Sequence, residues 1–263
     1  MIINRSQARD NRMKTFYDRE FSQDRYAAQI SDLHLRLLGS FVEQYHLENS
    51  LVLEVGCGRG AFQDLVTRYV GVDLSETVAR HLHKPFFCAS ATALPFHDNS
   101  FEAVWSIHVL EHVRDPEPAL LEMRRVLKPG GLLFLSPAWY CRPWAAQGYA
   151  VRPYSDFGFK GKAVKASIPL RNSLIFRAGY VMPRRLGRLI SACLGARQTD
   201  LKYKELSPNF EIFWTDDADA VNSLDPFDVI AWFLLRGDQC LNKNTLMRKL
   251  LVSTGPLLFR INK

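Results

Sequence analysis

Leu51-Val52-Leu53-Glu54-Val55-Gly56-Cys57-Gly58-Arg59-Gly60 is the stretch that decides the fold. Four apolar residues around one acid read as a buried strand, which runs straight into three glycines at every second position. Such a turn replaces side chains with backbone, so a ligand can pack on main-chain N–H groups where the next element begins. A pyrophosphate-binding turn spaces its glycines as G-x-G-x-x-G. Here the third comes one residue early, and no P-loop Lys-Ser/Thr pair follows. The spacing therefore suits a ligand without phosphates. Asp73 ends the next apolar run, Val70-Gly71-Val72, where a carboxylate can accept both hydroxyls of a ribose.

Working outward, the pattern alternates. A short helix is expected over Ala61–Arg68 and another from Ser75, as N-cap, to His83. Strands are expected at Phe86–Cys88 and Ala103–Ser106, then a helix over Pro116–Leu127 stopped by Lys128-Pro129-Gly130-Gly131, then a fifth strand at Leu132–Leu135. Strands alternating with helices imply an α/β fold built on a mostly parallel sheet with helices on both faces. Before this core, residues 1–50 read as a helical segment, with Ile30, Leu33, Leu37, Leu38, Phe41 and Val42 on one buried face.

After Pro137 the rhythm breaks. Residues 138–224 hold the aromatics Trp139, Tyr140, Trp144 and Tyr154, candidates for lining an acceptor pocket. They also hold a basic amphipathic stretch from Asn172 to Leu194, interrupted at Pro183. Over 225–263 the α/β rhythm returns, with a helix from Asp225 to Leu235, a strand near Asp238–Leu241 and a closing strand near 256–262. The expected division is thus 1–50, 51–137, 138–224 and 225–263, with the third segment a lid or acceptor-binding insertion after the fifth strand.

Charge singles out the same insertion. The net charge is +7, yet between Arg142 and Lys204 there are 13 basic residues against only Asp156 and Asp200. From Glu205 to Asp228 there are seven acids and no base. The block either meets an anionic partner, such as a membrane face contacted through 171–204, or is neutralised by the acids that follow. With 47% hydrophobic and 23% charged residues the chain is an ordinary folded protein. Its charged N-terminus lacks a signal-peptide core, and no apolar run reaches the roughly 18 residues of a membrane span. Five cysteines without C-x-x-C pairing read as reduced thiols, with no metal site. A cytoplasmic location is expected, with a peripheral contact at the inner membrane face as the open alternative.

Four motifs carry a family resemblance: LVLEVGCGRG at Leu51–Gly60, GVDLS at Gly71–Ser75, ALPFHDNSF at Ala93–Phe101 and VLEHVRDPEPALLEMRRVLKPGG at Val109–Gly131. In this order and spacing they resemble the class I methyltransferases of the ubiquinone/menaquinone-biosynthesis type (methyltransferase type 11). The resemblance implies a Rossmann-like domain with a seven-stranded, mostly parallel sheet whose last strand is antiparallel. The implied cofactor is S-adenosyl-L-methionine. It implies that the loop of Gly56, Cys57, Gly58 and Gly60 contacts the methionyl part and Asp73 the ribose, and that Leu74 flanks the adenine. Ala91 and Thr92 would lie at the adenine edge, Ser106 beside the amino acid moiety, and Glu54 would orient the ammonium. Where the family has an acid after the third strand this chain has Ser90, a weaker acceptor.

His108 and His112 follow the fourth strand, at the sheet edge where open α/β folds bind ligands, and either imidazole could serve as a base. The activity implied is methyl transfer, to an oxygen of a small or glycan/lipid-linked metabolite. An RNA or DNA methyltransferase using the basic insertion is one alternative, although the N/D-P-P-Y segment used on exocyclic amines is replaced by Ser106-Ile107-His108-Val109. An NAD-dependent oxidoreductase, disfavoured by the glycine spacing, and a non-catalytic S-adenosylmethionine-binding module are the others.

Overall fold

The computed structural model describes residues 13–19, 32–193, 200–212 and 214–263. Ile30, the rest of the N-terminal segment and residues 194–199 of the basic stretch lie outside them, as do the side chains of Leu174, Arg177 and Leu189.

Residues 13–19 are helical, and helix α1 covers Asp32–Gln44. The core strands are β1 (Leu51–Val55), β2 (Arg68–Asp73), β3 (Phe86–Cys88), β4 (Phe101–Ile107) and β5 (Leu127–Ser136), with helix α2 at Pro116–Val126. Pairings β1–β2, β2–β3, β1–β4 and β4–β5 are all parallel. With β8 (Gln239–Cys240) and β9 (Leu257–Arg260) they make a seven-stranded sheet of order β3-β2-β1-β4-β5-β9-β8. The order reverses between β1 and β4. Open α/β sheets bind ligands at the carboxyl ends of the strands beside such a switch point, and here the Gly56–Gly60 loop and the Ser106–Val109 segment leave the carboxyl ends of β1 and β4.

The packing explains the pattern. Val52, Leu53, Val104, Trp105 and Leu133 are fully buried, as a sheet covered on both faces requires. Phe41 of α1 meets Phe134 of β5 with ring centroids 5.4 Å apart. Leu38 joins it inside, whereas Leu33, expected on the same face, is 53% exposed.

Three local expectations are corrected. The helix expected over residues 61–68 shrinks to a single 3-10 turn at Gln63–Leu65, because the β-branched pair Val66-Thr67 favours extended backbone and leads into β2. Ser75 starts a second 3-10 turn, Glu76–His81, without capping it: its hydroxyl donates to Asp18 Oδ1 at 2.6 Å and meets the Thr77 hydroxyl at 2.8 Å. Lys128-Pro129-Gly130-Gly131 does end α2, but it forms an irregularity within β5. There the Gly130 N–H (φ 78°) donates to the Ile261 carbonyl at 2.7 Å.

Contacts divide the chain into two compact units. Met1–Leu110, Asp115–Pro137 and Leu258–Lys263 make the first; Glu111–Arg114 and Ala138–Leu257 make the second. The second contains α3 (Phe159–Asn172), α4 (Leu174–Cys193), α5 (Pro226–Leu234), α6 (Leu246–Leu250) and an antiparallel pair, β6 (Tyr203–Glu205) with β7 (Asn222–Leu224). Helix α4 runs through Pro183 rather than breaking there. The ring deprives the Gly179 carbonyl of its helical partner, but both residues are exposed, and a glycine offers no side chain to crowd the ring.

A buried ionic knot holds the second unit. Arg185, 2% exposed, pairs with Asp225 at 2.6 Å and donates to the Leu250 carbonyl and the Tyr140 hydroxyl. Arg184 and Arg188 pair with Asp228. Asp225 also caps α5 by accepting the Phe227 N–H at 2.8 Å. The acidic block thus neutralises these three arginines internally. The aromatics of this region are tied down as well: the Trp139 indole donates to the Gly255 carbonyl at 2.8 Å, and Trp144 is buried with Arg142 and Arg171 each 5.7 Å from its ring.

Candidate cofactor site

Gly56, Gly58 and Gly60 all have positive φ (77°, 47° and 70°), a region that only glycine occupies freely. A Cβ on Gly56 would stand 2.0 Å from Val109 Cγ2, and one on Gly60 2.9 Å from Leu82 Cγ. The loop is therefore fixed twice over, by conformation and by space. It is anchored to β2 as well. The Gly56 and Cys57 N–H groups both donate to the Val72 carbonyl, at 2.7 and 3.0 Å. The Gly58 N–H donates to Asp73 Oδ2 at 2.9 Å.

Asp73 is the hinge of the arrangement. Its other oxygen accepts the Ser75 N–H at 3.0 Å and the Leu74 N–H also bonds the carboxylate, so only part of its acceptor capacity remains for a ligand's hydroxyls. Burial raises its carboxyl above the ordinary value, against the backbone N–H groups of Ser75, Gly58 and Leu74 that hold it down. The Asp73 carbonyl accepts the Ala89 N–H at 2.9 Å, which brings the turn of Ser90, Ala91 and Thr92 beside it. Within that turn the Ser90 hydroxyl is 2.9 Å from the Thr92 hydroxyl, so the residue replacing the expected acid already has a partner. Leu74 is half-buried at the same corner.

Glu54 and Cys57 are buried, with different consequences. Burial pushes the Cys57 thiol far above its usual range, so the residue offers backbone and not a nucleophile. Burial pushes the Glu54 carboxyl up to about 8, opposed by the Tyr69 hydroxyl, which donates to Oε2 at 2.5 Å. Such a carboxyl keeps its proton near neutrality until a cation arrives. Ser106 ends the row, one residue past the Glu54–Trp105 register pair; its hydroxyl is buried and has no hydrogen-bond partner among the described residues. An orphaned hydroxyl, a glycine cradle and a half-satisfied carboxylate together fit a nucleoside with an amino acid tail.

The family profile described as "Methyltransferase domain" matches residues 53–135, which span the loop, Asp73, the 90–92 turn and Ser106. Residues 53–135 are a class I methyltransferase domain. The cofactor of that class is S-adenosylmethionine. An uncharacterized protein of Methanocaldococcus jannaschii is 34% identical over 140 residues, covering 47% of this chain and 59% of its own. An uncharacterized methyltransferase of Mycolicibacterium gilvum is 36% identical over 153 residues, covering 47% and 60%. Another, of Mycolicibacterium vanbaalenii, is 32% identical over 165 residues, covering 56% and 64%. The chain spans about six-tenths of the length of these relatives. A solved S-adenosylmethionine-dependent methyltransferase of Thermotoga maritima, described as a possible histamine N-methyltransferase, is 17% identical with a TM-score of 0.49, covering 95% of this chain and 100% of that one.

The first unit also holds features that the motifs did not show. Asp18, in the helical segment 13–19, reaches Ser75, and Lys14 Nζ lies 3.9 Å from Cys88 Sγ, so this segment stands over the carboxyl ends of β2 and β3. Both residues lie outside the four motifs, and no spacing marked them. His108 is exposed with φ 53°, and its ring meets His34 of α1 edge-on at 4.9 Å. His34 is held below the usual imidazole range by burial and by the charge of His108. It precedes Leu38 and Phe41 by four and seven residues, a helical spacing that could have flagged it. His112 falls in the second unit, where its Nδ1 lies 3.3 Å from the buried Asp219.

Proposed function

We propose that this chain binds S-adenosylmethionine in its methyltransferase domain and transfers the methyl group to an oxygen of a small or glycan/lipid-linked acceptor. What supports the reading above all is the bond from Gly58 to Asp73, which joins the glycine cradle and the ribose-type carboxylate into one rigid corner. When bound, the sulfonium of the cofactor supplies an already activated methyl donor, so the protein's task is alignment and, for a hydroxyl acceptor, removal of one proton. Asp73 holds the ribose, Ser106 and Glu54 orient the amino acid tail, and the 90–92 turn borders the adenine. His108 takes the acceptor's proton. Its exposed ring is reachable by an acceptor, and it meets the half-buried ring of His34 edge-on at 4.9 Å, which holds it in place beside α1.

The test is transfer of labelled methyl from S-adenosylmethionine to a panel of hydroxyl-, amine- and carbon-acceptor fractions, including glycolipids and a nucleic acid control. Label appearing in a hydroxylated acceptor supports the reading. Label appearing only in the amine or nucleic acid fraction overturns the oxygen assignment. His108→Gln should lower turnover by about 10²–10⁴ without changing cofactor affinity; turnover within a few-fold of the parent would make transfer a matter of alignment alone.

A further inference from the structure

Helices α3 and α4 are built inside out for a solvated surface. On α3, Phe159, Ala163, Ala166 and Leu170 recur at helical spacing, and all four are exposed, Phe159 at 89% and Leu170 at 63%. On α4, Ile175, Phe176, Tyr180, Pro183, Leu186 and Ile190 fall within one side of the helical wheel, and every one is exposed, Ile175 at 87%. The opposite side of α4 carries Arg185 and Arg188, which turn inward to Asp225 and Asp228. A helix beside water places its charges outward and its apolar stripe inward; this one does the reverse. Exposed apolar surface of this extent marks a place where something docks.

We propose that the outward faces of α3 and α4 seat the chain on an anionic lipid surface, with the helices lying in the plane of the interface. Charge selects that occupant. There is no acidic residue between Asp156 and Asp200, and the stripe of α3 is bordered by exposed Lys160, Lys162 and Arg171. A second copy of the chain would bring the same cations together, whereas anionic headgroups neutralise them. Phe176 and Tyr180, stacked at 6.3 Å, supply an aromatic pair suited to headgroup depth. Among the described residues no helix is long and apolar enough to cross a membrane, so the contact is superficial. The contacting cations are Lys160 and Lys162 of α3, since Arg184, Arg185 and Arg188 are spent on Asp225 and Asp228, Arg171 lies over Trp144 and Lys165 donates to the Tyr149 carbonyl.

Flotation of the full chain with vesicles tests this, using phosphatidylcholine alone or mixed with phosphatidylglycerol. The chain should float with the mixed vesicles and not the neutral ones, and added salt should weaken binding. The exposed triple variant Phe159→Ser/Ile175→Ser/Ile190→Ser should keep its unfolding temperature and lose roughly tenfold or more in partitioning; Lys160→Gln/Lys162→Gln should lose a similar amount. No flotation of the parent at low salt overturns the proposal. So does undiminished binding by the serine variant, which would leave only diffuse electrostatics. A lipid-free parent that sediments as a dimer while the serine variant is a monomer assigns the surface to self-association instead.

Discussion

Glu54 and Asp73 are two buried carboxylates with unlike tasks. Asp73 receives three backbone N–H groups and keeps capacity for hydroxyls, whereas Glu54, pushed up to about 8 by burial, holds its proton unless a cation offsets the desolvation. The sign of the pH dependence follows. The unfolded chain ionises Glu54 near 4.5 and the folded chain near 8, so this residue makes the protein less stable as pH rises through that window and adds no further change above it. Cofactor binding should run the other way. If the ammonium prefers the carboxylate, affinity for S-adenosylhomocysteine rises with pH toward about 8 in the parent and is flat in Glu54→Gln. Tyr69→Phe, which removes the donor opposing the shift, moves the rise to higher pH. Calorimetry across pH 6 to roughly 9 reads all three; a parent titration as flat as that of Glu54→Gln would contradict the role. Glu54 was legible because it sits in the strand of a familiar motif. Tyr69 was not, since its partner is distant in the chain and met only on folding, and His34 had only its helical spacing from Leu38 and Phe41 to mark it.

At the scale of elements, the glycine loop and the ionic knot each rest on geometry that a single substitution breaks. Gly56→Ala places a Cβ against Val109 at a positive φ, a strain of about 1–3 kcal/mol before any repacking. It should lose cofactor affinity by more than tenfold while Val109→Ala alone leaves affinity within a few-fold. In the second unit, Arg185→Met leaves Asp225 buried without its cation, at a cost of roughly 3–5 kcal/mol. Urea unfolding should show that loss, and Arg185→Met with Asp225→Asn should recover part of it; an unchanged midpoint would mean the knot contributes little. The five core strands and the helices at Pro116–Val126 and Pro226–Leu234 were legible because hydrophobic period and breakers agree there, whereas α3 and the pair β6–β7 were not, their segments being short or lacking a buried apolar stripe. Nor were the two 3-10 turns. Helix signals such as Ser75 before Glu76 are local, and the competing demands of Val66-Thr67 and of Asp18 come from strand propensity and a distant partner.

At the scale of the molecule, the parallel pairings followed from the alternation of strands with helices, whereas the strand order, and with it the place where that order reverses, was met only on folding. The second unit was less legible. Charge counts marked 142–204 as unusual, but only the folded pairing of Arg184, Arg185 and Arg188 with Asp225 and Asp228 separates cations that hold the unit together from those on α3 that face outward. Ligand should stabilise the chain by mass action, about 2.7 kcal/mol at a hundredfold excess over the dissociation constant. The central claim is the cofactor corner, and calorimetric titration with S-adenosylhomocysteine tests it most directly. The parent should bind S-adenosylhomocysteine and not NAD, and Asp73→Ala should weaken binding by roughly 1.5–3 kcal/mol for each charge-assisted hydrogen bond lost. An Asp73→Ala variant that binds as tightly as the parent, or a parent that binds NAD instead, would contradict it.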